Sequence, residues 1–235
     1  MLTRAAASLV DRASEPYRGA GFFAYKFARG KLRGDPVFRA LLERGLLRGR
    51  GRILDLGCGQ GLLSAWLMAA QLSYETGSWP QGWPPAPQPV STRGIELMGR
   101  DVQRARSALG PQCNISQGDI RNAEFGATDA VVILDVLHYI TRDEQLQVLK
   151  RVRAALSAKG LLLLRIGDAA GGLRFRYSQW IDRLIMRCRG HSSAMHCRSS
   201  AQWRELLAEC GFEVEEAPMN EGTRFANVLL IGHAM

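Results

Sequence analysis

From Arg52 onward the apolar positions of this chain alternate between short continuous runs and helical stripes. Ile53-Leu54-Asp55-Leu56 predicts a short strand, Gly57 to Gly61 a glycine turn, and Leu62, Leu63, Trp66 and Leu67 one face of a helix. Arg93-Gly94-Ile95-Glu96 ends a second strand before a helix over 97–108. Cys113 to Ser116 is a third strand, stopping at Gln117-Gly118-Asp119. The run DAVVILD at 129–135 is an apolar strand with an acid at each end. Thr141 to Ser157 predicts a helix with a capping box, Thr141 and Glu144, and a stripe of Leu146, Leu149, Val152 and Leu156. Gly160 and the buried-type strand LLLLRI follow. A helix over 200–210, stopped by Gly211, precedes strands at 212–217 and 227–233.

This alternation predicts an α/β fold: a doubly wound, mostly parallel, Rossmann-like sheet covered on both faces. Only Pro218 to Arg224 separates the last two strands, which should form an antiparallel hairpin at one sheet edge. Residues 16–47 look helical, with Phe22, Phe23, Tyr25 and Phe27 in one stretch and Asp35-Pro36 opening a second helix. Residues 1–48 are therefore expected to form a helical cap on a domain of 49–235. The start, MLTRAAASLVDRAS, reads as a ragged terminus, because Asp11 and Arg12 interrupt its apolar stretch before a signal-type core develops. Residues 73–92 hold five of the nine prolines and should be neither helix nor central strand. They read as a surface insertion.

Composition narrows the picture further. With 46% hydrophobic residues, 23% charged residues and no run near the roughly 20 apolar residues of a spanning helix, the chain reads as globular. Its five cysteines are odd in number and irregularly spaced, which argues for a reducing, cytoplasmic setting over a disulfide framework. The formal charge of +9 predicts attraction to an anionic partner: nucleic acid, an acidic carrier protein, a phosphorylated substrate or a membrane face.

Candidate chemistry centres on Asp55-Leu-Gly57-Cys-Gly59-Gln-Gly61, between a strand and a helix. Glycines there let the backbone turn sharply and approach a ligand closely. The dinucleotide fingerprint would require glycine at 62, where this chain has Leu62, and no Gly-Lys-Ser/Thr follows to make a phosphate-binding loop. The stretch ILDLGCGQG at 53–61 resembles the nucleotide-binding loop of class I S-adenosylmethionine (SAM)-dependent methyltransferases. Three further features match that family in order. Glu96, with Leu97 beside it, ends the second strand, where the family binds both ribose hydroxyls. Asp119-Ile120 follows the third strand, where an acid and an apolar residue hold adenine. Asp135 closes the fourth, beside the methyl donor. The resemblance covers roughly 50–165 and implies SAM as cofactor, with Asp55, Gly57, Cys58, Gly59, Gly61, Glu96, Leu97, Asp119, Ile120 and Asp135 around it. A carboxylate can accept two hydroxyl hydrogen bonds, which suits Glu96 and a ribose diol. Asp55 and Asp135 would favour the cationic sulfonium. Cys58 reads as a small packing residue and not a nucleophile.

The acceptor is less legible. His138, just beyond the fourth strand, is either a general base for a phenol or hydroxyl or a cap on the following helix. Tyr139 beside it, Tyr17 and Phe22 in the N-terminal cap, and Tyr177 and Trp180 in a basic stretch at 171–198 are candidate substrate contacts, the last pair on a lid. Cys188, His191, His196 and Cys197 match no common zinc spacing, so no metal is expected. Asp135-Val-Leu-His138 lacks the Asn/Asp-Pro-Pro-Tyr/Phe of base-amine methyltransferases. Residues 17–38 also resemble methyltransferases found with bacterial aryl polyene pigment synthesis, which implies an aromatic acyl substrate, free or on an acyl carrier protein. The leading expectation is O- or C-methylation of a small metabolite. An RNA methyltransferase, supported by charge alone, and a non-catalytic SAM-binding interaction protein are the alternatives.

Overall fold

The computed structural model describes residues 4–89, 91–172, 195–220, 222 and 225–235. The fold is mixed α/β, mostly parallel, with an antiparallel C-terminal pair of strands. It divides into two units, residues 1–123 and 124–235.

The first unit begins with helix α1 (Arg4–Ser14), a 3-10 turn (Glu15–Arg18), α2 (Phe22–Gly34) and α3 (Pro36–Glu43). Asp35 caps α3 by accepting a hydrogen bond from the Val37 N–H at 3.1 Å, with proline in the first turn as the sequence predicts. Then come β1 (Arg52–Leu56), α4 (Leu62–Glu75), β2 (Ser91–Glu96), α5 (Gly99–Leu109) and β3 (Ile115–Gln117). The strands β1, β2 and β3 pair in parallel, with Asp55 opposite Gly94 and Glu96 opposite Gln117. This register carries the acids toward one end of the strands. Helix α4 is apolar nearly all round, and its Trp66 indole N–H donates to the Phe38 carbonyl at 2.8 Å, tying the cap to the helix behind the glycine turn.

The second unit contains β4 (Thr128–Leu134), α6 (Arg142–Ala155), β5 (Leu156–Gly167), α7 (Ser200–Glu209), β6 (Phe212–Pro218) and β7 (Asn227–Ala234). The capping box of Thr141 and Glu144 forms at the start of α6. A second one, Ser199 with Gln202, starts α7. Strand β4 runs parallel to β5, β5 antiparallel to β7, and β7 antiparallel to β6. The hairpin forms, but its second strand lies inside and only β6 has β7 on one side alone. Burial explains the order: β7 buries Leu229, Leu230 and Ile231 in succession, whereas β6 carries Glu213, Glu215 and Glu216 and suits a less covered position.

Two expectations need correcting. The N-terminus is not ragged: α1 buries Ala6, Leu9, Val10 and Ala13, a helical stripe that packs on α2 and α4. Asp11 and Arg12, which break the apolar run in sequence, lie off that stripe. The proline-rich stretch is also shorter than expected. Residues 73–75 complete α4, because the first proline comes only at Pro80, and Gly77 at φ +69° ends the helix with Thr76 bonded back to the Leu72 carbonyl. Residues 91 and 92 are already strand. What lies between packs on itself through Trp79, whose indole N–H donates to the Pro84 carbonyl and whose ring meets Tyr74 and Trp83 edge-on. Among the described residues no helix is long and apolar enough to cross a membrane.

If α1 is part of the core, Leu9→Ala should destabilise the protein by about 2–5 kcal/mol, as other fully buried leucines do. Urea unfolding will show it; a change within experimental scatter would return α1 to the status of a loose end.

Candidate functional site

In the first unit the carboxyl ends of β1 and β2 meet at the glycine turn. The Gly57 and Cys58 N–H groups both donate to the Ile95 carbonyl, at 2.8 and 3.2 Å, so the turn is bolted to β2 before it rises. Glu96 completes the attachment. One carboxylate oxygen accepts from the Gly59 N–H at 2.9 Å and the other from the Met98 N–H at 2.8 Å. Gly57, Gly59 and Gly61 all have positive φ, at 72°, 55° and 79°. A Cβ on Gly61 would come within 2.6 Å of the Ile115 side chain, so this glycine is required by packing as well as by backbone conformation. A Cβ on Gly59 would meet nothing within 4 Å, which leaves open space on that side of the turn.

Cys58 is buried, its Sγ lying where a side chain on Gly94 would stand. Burial first, then the neighbouring Asp55 and Glu96 charges, push its thiol far up, away from thiolate. That is the state of a packing residue and not of a nucleophile. Asp55 is buried at the end of β1, and desolvation with the nearby Glu96 charge raises its carboxyl to about 8. Leu97 stands half exposed beyond Glu96. The Gly118 N–H donates to the Glu96 carbonyl at 2.9 Å, which brings the segment after β3 alongside. There Ile120 is buried and Asp119 is held below the usual carboxylate range by its hydrogen bonds with Arg121. Thus Asp55, Gly57, Cys58, Gly59, Gly61, Glu96, Leu97, Asp119 and Ile120 converge on the strand ends of one unit.

Residue 60, between the glycines, was not singled out from the sequence. Gln60 is buried, its amide donates to the Ala24 carbonyl of α2 at 3.0 Å, and its own carbonyl accepts from the Tyr17 hydroxyl at 2.8 Å. Tyr17 is fully buried, and its phenol is pushed far up, chiefly by that burial. It supports the turn from behind instead of offering a free surface. Phe22 differs, standing well exposed at the start of α2.

In the second unit, Asp135 follows β4 with φ 60°, a left-handed conformation unusual for a residue other than glycine. Its carboxylate is gripped by Arg165 of β5, through Nε at 2.9 Å and through Nη2. Arg165 is itself buried, so Asp135 carries its counter-charge with it. The signal for this was present: a single arginine inside LLLLRI demands a partner. The 3-10 turn Leu137–Tyr139 then places His138 against Tyr139, ring centroids 4.1 Å apart. His138 Nε2 is buried and has no hydrogen-bond partner among the described residues. Desolvation lowers the imidazole below its usual range, outweighing the opposing Asp135 charge. The turn is fixed by buried Gln145, whose amide donates to the carbonyls of Leu137, Ile140 and His196. Tyr177 and Trp180, with most of the expected lid and with Cys188 and His191, lie outside the described residues.

Residues 26–217 match the family described as "Methyltransferase domain". A carboxy-S-adenosyl-L-methionine synthase of Chromohalobacter salexigens is 28% identical over 123 residues, 50% of this chain and 40% of that protein. The chain thus spans less than half of that relative's length in the match. The structure of magnesium protoporphyrin IX methyltransferase from Synechocystis, with bound S-adenosylhomocysteine (SAH), is 19% identical, covers 94% of both chains and gives a TM-score of 0.59. Human N-acetylserotonin methyltransferase with SAM is 14% identical, over 94% of this chain and 56% of that one, with a TM-score of 0.60. At such identities the two structures speak for the fold.

The buried Asp55 generates a prediction about stability. Its folded value of about 8 lies above the unfolded one, so between about pH 4 and 8 the folded chain holds a proton that the unfolded chain has released. Stability is then fully present at the acid end of that window and falls as pH rises through it. Asp55→Asn should remove this loss, and its advantage over the unmodified protein in chemical denaturation should widen from pH 4 to pH 8. A gap that stays constant with pH would contradict the assignment.

Proposed function

The chain belongs to the methyltransferase-domain family, and from that premise we propose that it methylates oxygen or carbon of a small aromatic or acyl acceptor, free or on a carrier protein, using SAM. The observation that carries the cofactor side of this reading is Glu96. It holds Gly59 and Met98 with one lone pair on each carboxylate oxygen, and a carboxylate has about four such acceptor sites. Capacity therefore remains for a ribose diol while the same group fixes the turn. The rest of the donor set fits as well: positive-φ glycines beside open space, an apolar Leu97 surface, and Asp119 with Ile120 after the next strand.

When bound, SAM supplies an electrophilic methyl on a sulfonium cation. The chain's own residues then have to orient an acceptor and, for a hydroxyl, take its proton. His138 suits that role, because burial keeps its imidazole in the neutral, proton-accepting form at pH 7 while Nε2 is left without a protein partner among the described residues. Asp135, paired with Arg165, is read as setting the backbone of this turn and tempering the imidazole, more than as a free anion. Phe22, Tyr139, Tyr177 and Trp180 remain the proposed acceptor contacts, with Tyr17 acting through Gln60. The aromatic acyl class rests on the resemblance of residues 17–38 to the methyltransferases of aryl polyene synthesis. The RNA alternative has only net charge in its favour.

Calorimetry should detect SAM and SAH binding to the purified protein, and failure of both to bind at millimolar concentration would end the reading. Glu96→Ala should remove hydrogen bonds to a charged acceptor worth roughly 1.5–3 kcal/mol each, weakening SAM by at least about tenfold. Because Asp55 is largely protonated at pH 7, a cationic ligand should displace its proton. The apparent binding heat should then vary with the ionisation enthalpy of the buffer; equal heats in phosphate and Tris would remove Asp55 from contact with the ligand's charge. Incubation of the protein and SAM with cell extract should yield a product heavier by one CH2, seen by mass spectrometry.

A further inference from the structure

Helix α2 presents a face that neither the core nor the cofactor turn uses. Its inward side is Ala24, Ala28 and Leu32, four residues apart, with Gln60 bonded to the Ala24 carbonyl. Its outward side carries Phe22, Phe23 and Phe27, which are 78%, 62% and 39% exposed. Phe23 and Phe27 stack on each other at 6.3 Å, so these rings present one surface instead of scattered singles. Exposed aromatics clustered on a helix mark an interaction site.

Cations lie against these rings. Lys26 lies over the Phe22 ring at 5.4 Å, the Arg104 guanidinium of α5 over Phe23 at 4.9 Å, and Arg33 is exposed two turns further along α2. The helix contains Lys26, Arg29, Lys31 and Arg33 and no acid. Arg29, Lys31 and Arg104 are answered by Asp11, Asp35 and Asp101 of the same unit, while Lys26 sits beside the rings. Phenyl rings flanked by cations on one side of an amphipathic helix suit the boundary of a bilayer, where rings enter the acyl region and cations meet anionic headgroups.

We propose that α2 docks this protein on an anionic lipid surface through Phe22, Phe23 and Phe27, with Lys26 and Arg33 facing the headgroups. An acidic protein would answer the cations but would leave three adjoining phenyl rings needing an apolar groove of its own. A bilayer satisfies both with no matching shape. The Gln60 bond makes the arrangement rigid, because the docking helix is fixed to the cofactor turn of the same unit. The inference shares Phe22 with the proposed acceptor contacts but uses none of the methyl-transfer chemistry, so vesicle binding can fail while SAM binding stands.

The test is co-sedimentation of the full chain with phosphatidylcholine vesicles, with and without phosphatidylglycerol, at fixed ionic strength. Binding is expected only to the anionic vesicles. Phe22→Ser with Phe23→Ser should weaken partitioning by about tenfold or more, and Lys26→Ala with Arg33→Ala by a similar factor, since each cation near such a surface contributes appreciably. Leu72→Ser, an exposed apolar position on α4, should bind as the unmodified protein does. Unchanged thermal midpoints would show that the variants are folded. Vesicle binding that survives loss of both phenylalanines would overturn the proposal, because net charge alone would then explain it. So would failure to bind anionic vesicles, including the case in which the protein is instead retained by an immobilised acidic carrier protein.

Discussion

A carboxylate removed from water must have its charge answered, and the answer given to Glu96 organises the first unit. Two backbone N–H groups, from Gly59 in the turn after β1 and from Met98 at the start of α5, reach it. Hydrogen bonds to a charged acceptor are stronger than neutral ones, so this one side chain reinforces the ladder where the two strand ends meet. Its charge has a second effect, adding to the burial that raises the Asp55 carboxyl. The turn is thus held by one carboxylate through its hydrogen bonds and backed by another whose burial favours the protonated form.

Much of this was readable from the sequence, for definite reasons. The patterns from 52 to 167 are strong because β1, β4 and β5 are continuous buried apolar runs while α5 and α6 carry apolar stripes, and the match of elements follows. The candidate acids came from the resemblance to the methyltransferase family, laid onto the strand ends that those patterns predict. What could not be read depended on partners distant in sequence. Tyr17 was expected to contact the substrate, whereas its hydroxyl donates to the carbonyl of Gln60, 43 positions away. Asp135 looked like a spare anion until Arg165 was found across the neighbouring strand. The N-terminal helix was obscured because half of its apolar stripe is alanine, whose burial carries little signal in a single sequence, and Asp11-Arg12 interrupt the run.

The two units treat polar groups differently. In the first, almost every buried polar group around the turn is satisfied by backbone, which gives a stiff scaffold. In the second, Gln145 satisfies three carbonyls and Arg198 holds its other end at 2.8 Å, yet His138 Nε2 is left without a described partner. Native interiors seldom leave such an atom unmatched without a use for it. A network that is complete except at one imidazole nitrogen directs attention to that nitrogen.

The Tyr17–Gln60–Ala24 bridge also bears on timing. Glycine-rich segments are ordinarily the loosest parts of a chain, and ordering them on ligand arrival subtracts from affinity. Here the middle residue of the turn is tethered at both its side chain and its carbonyl before anything binds. On the proposed reading, exchange of spent for fresh cofactor requires no reordering of this turn.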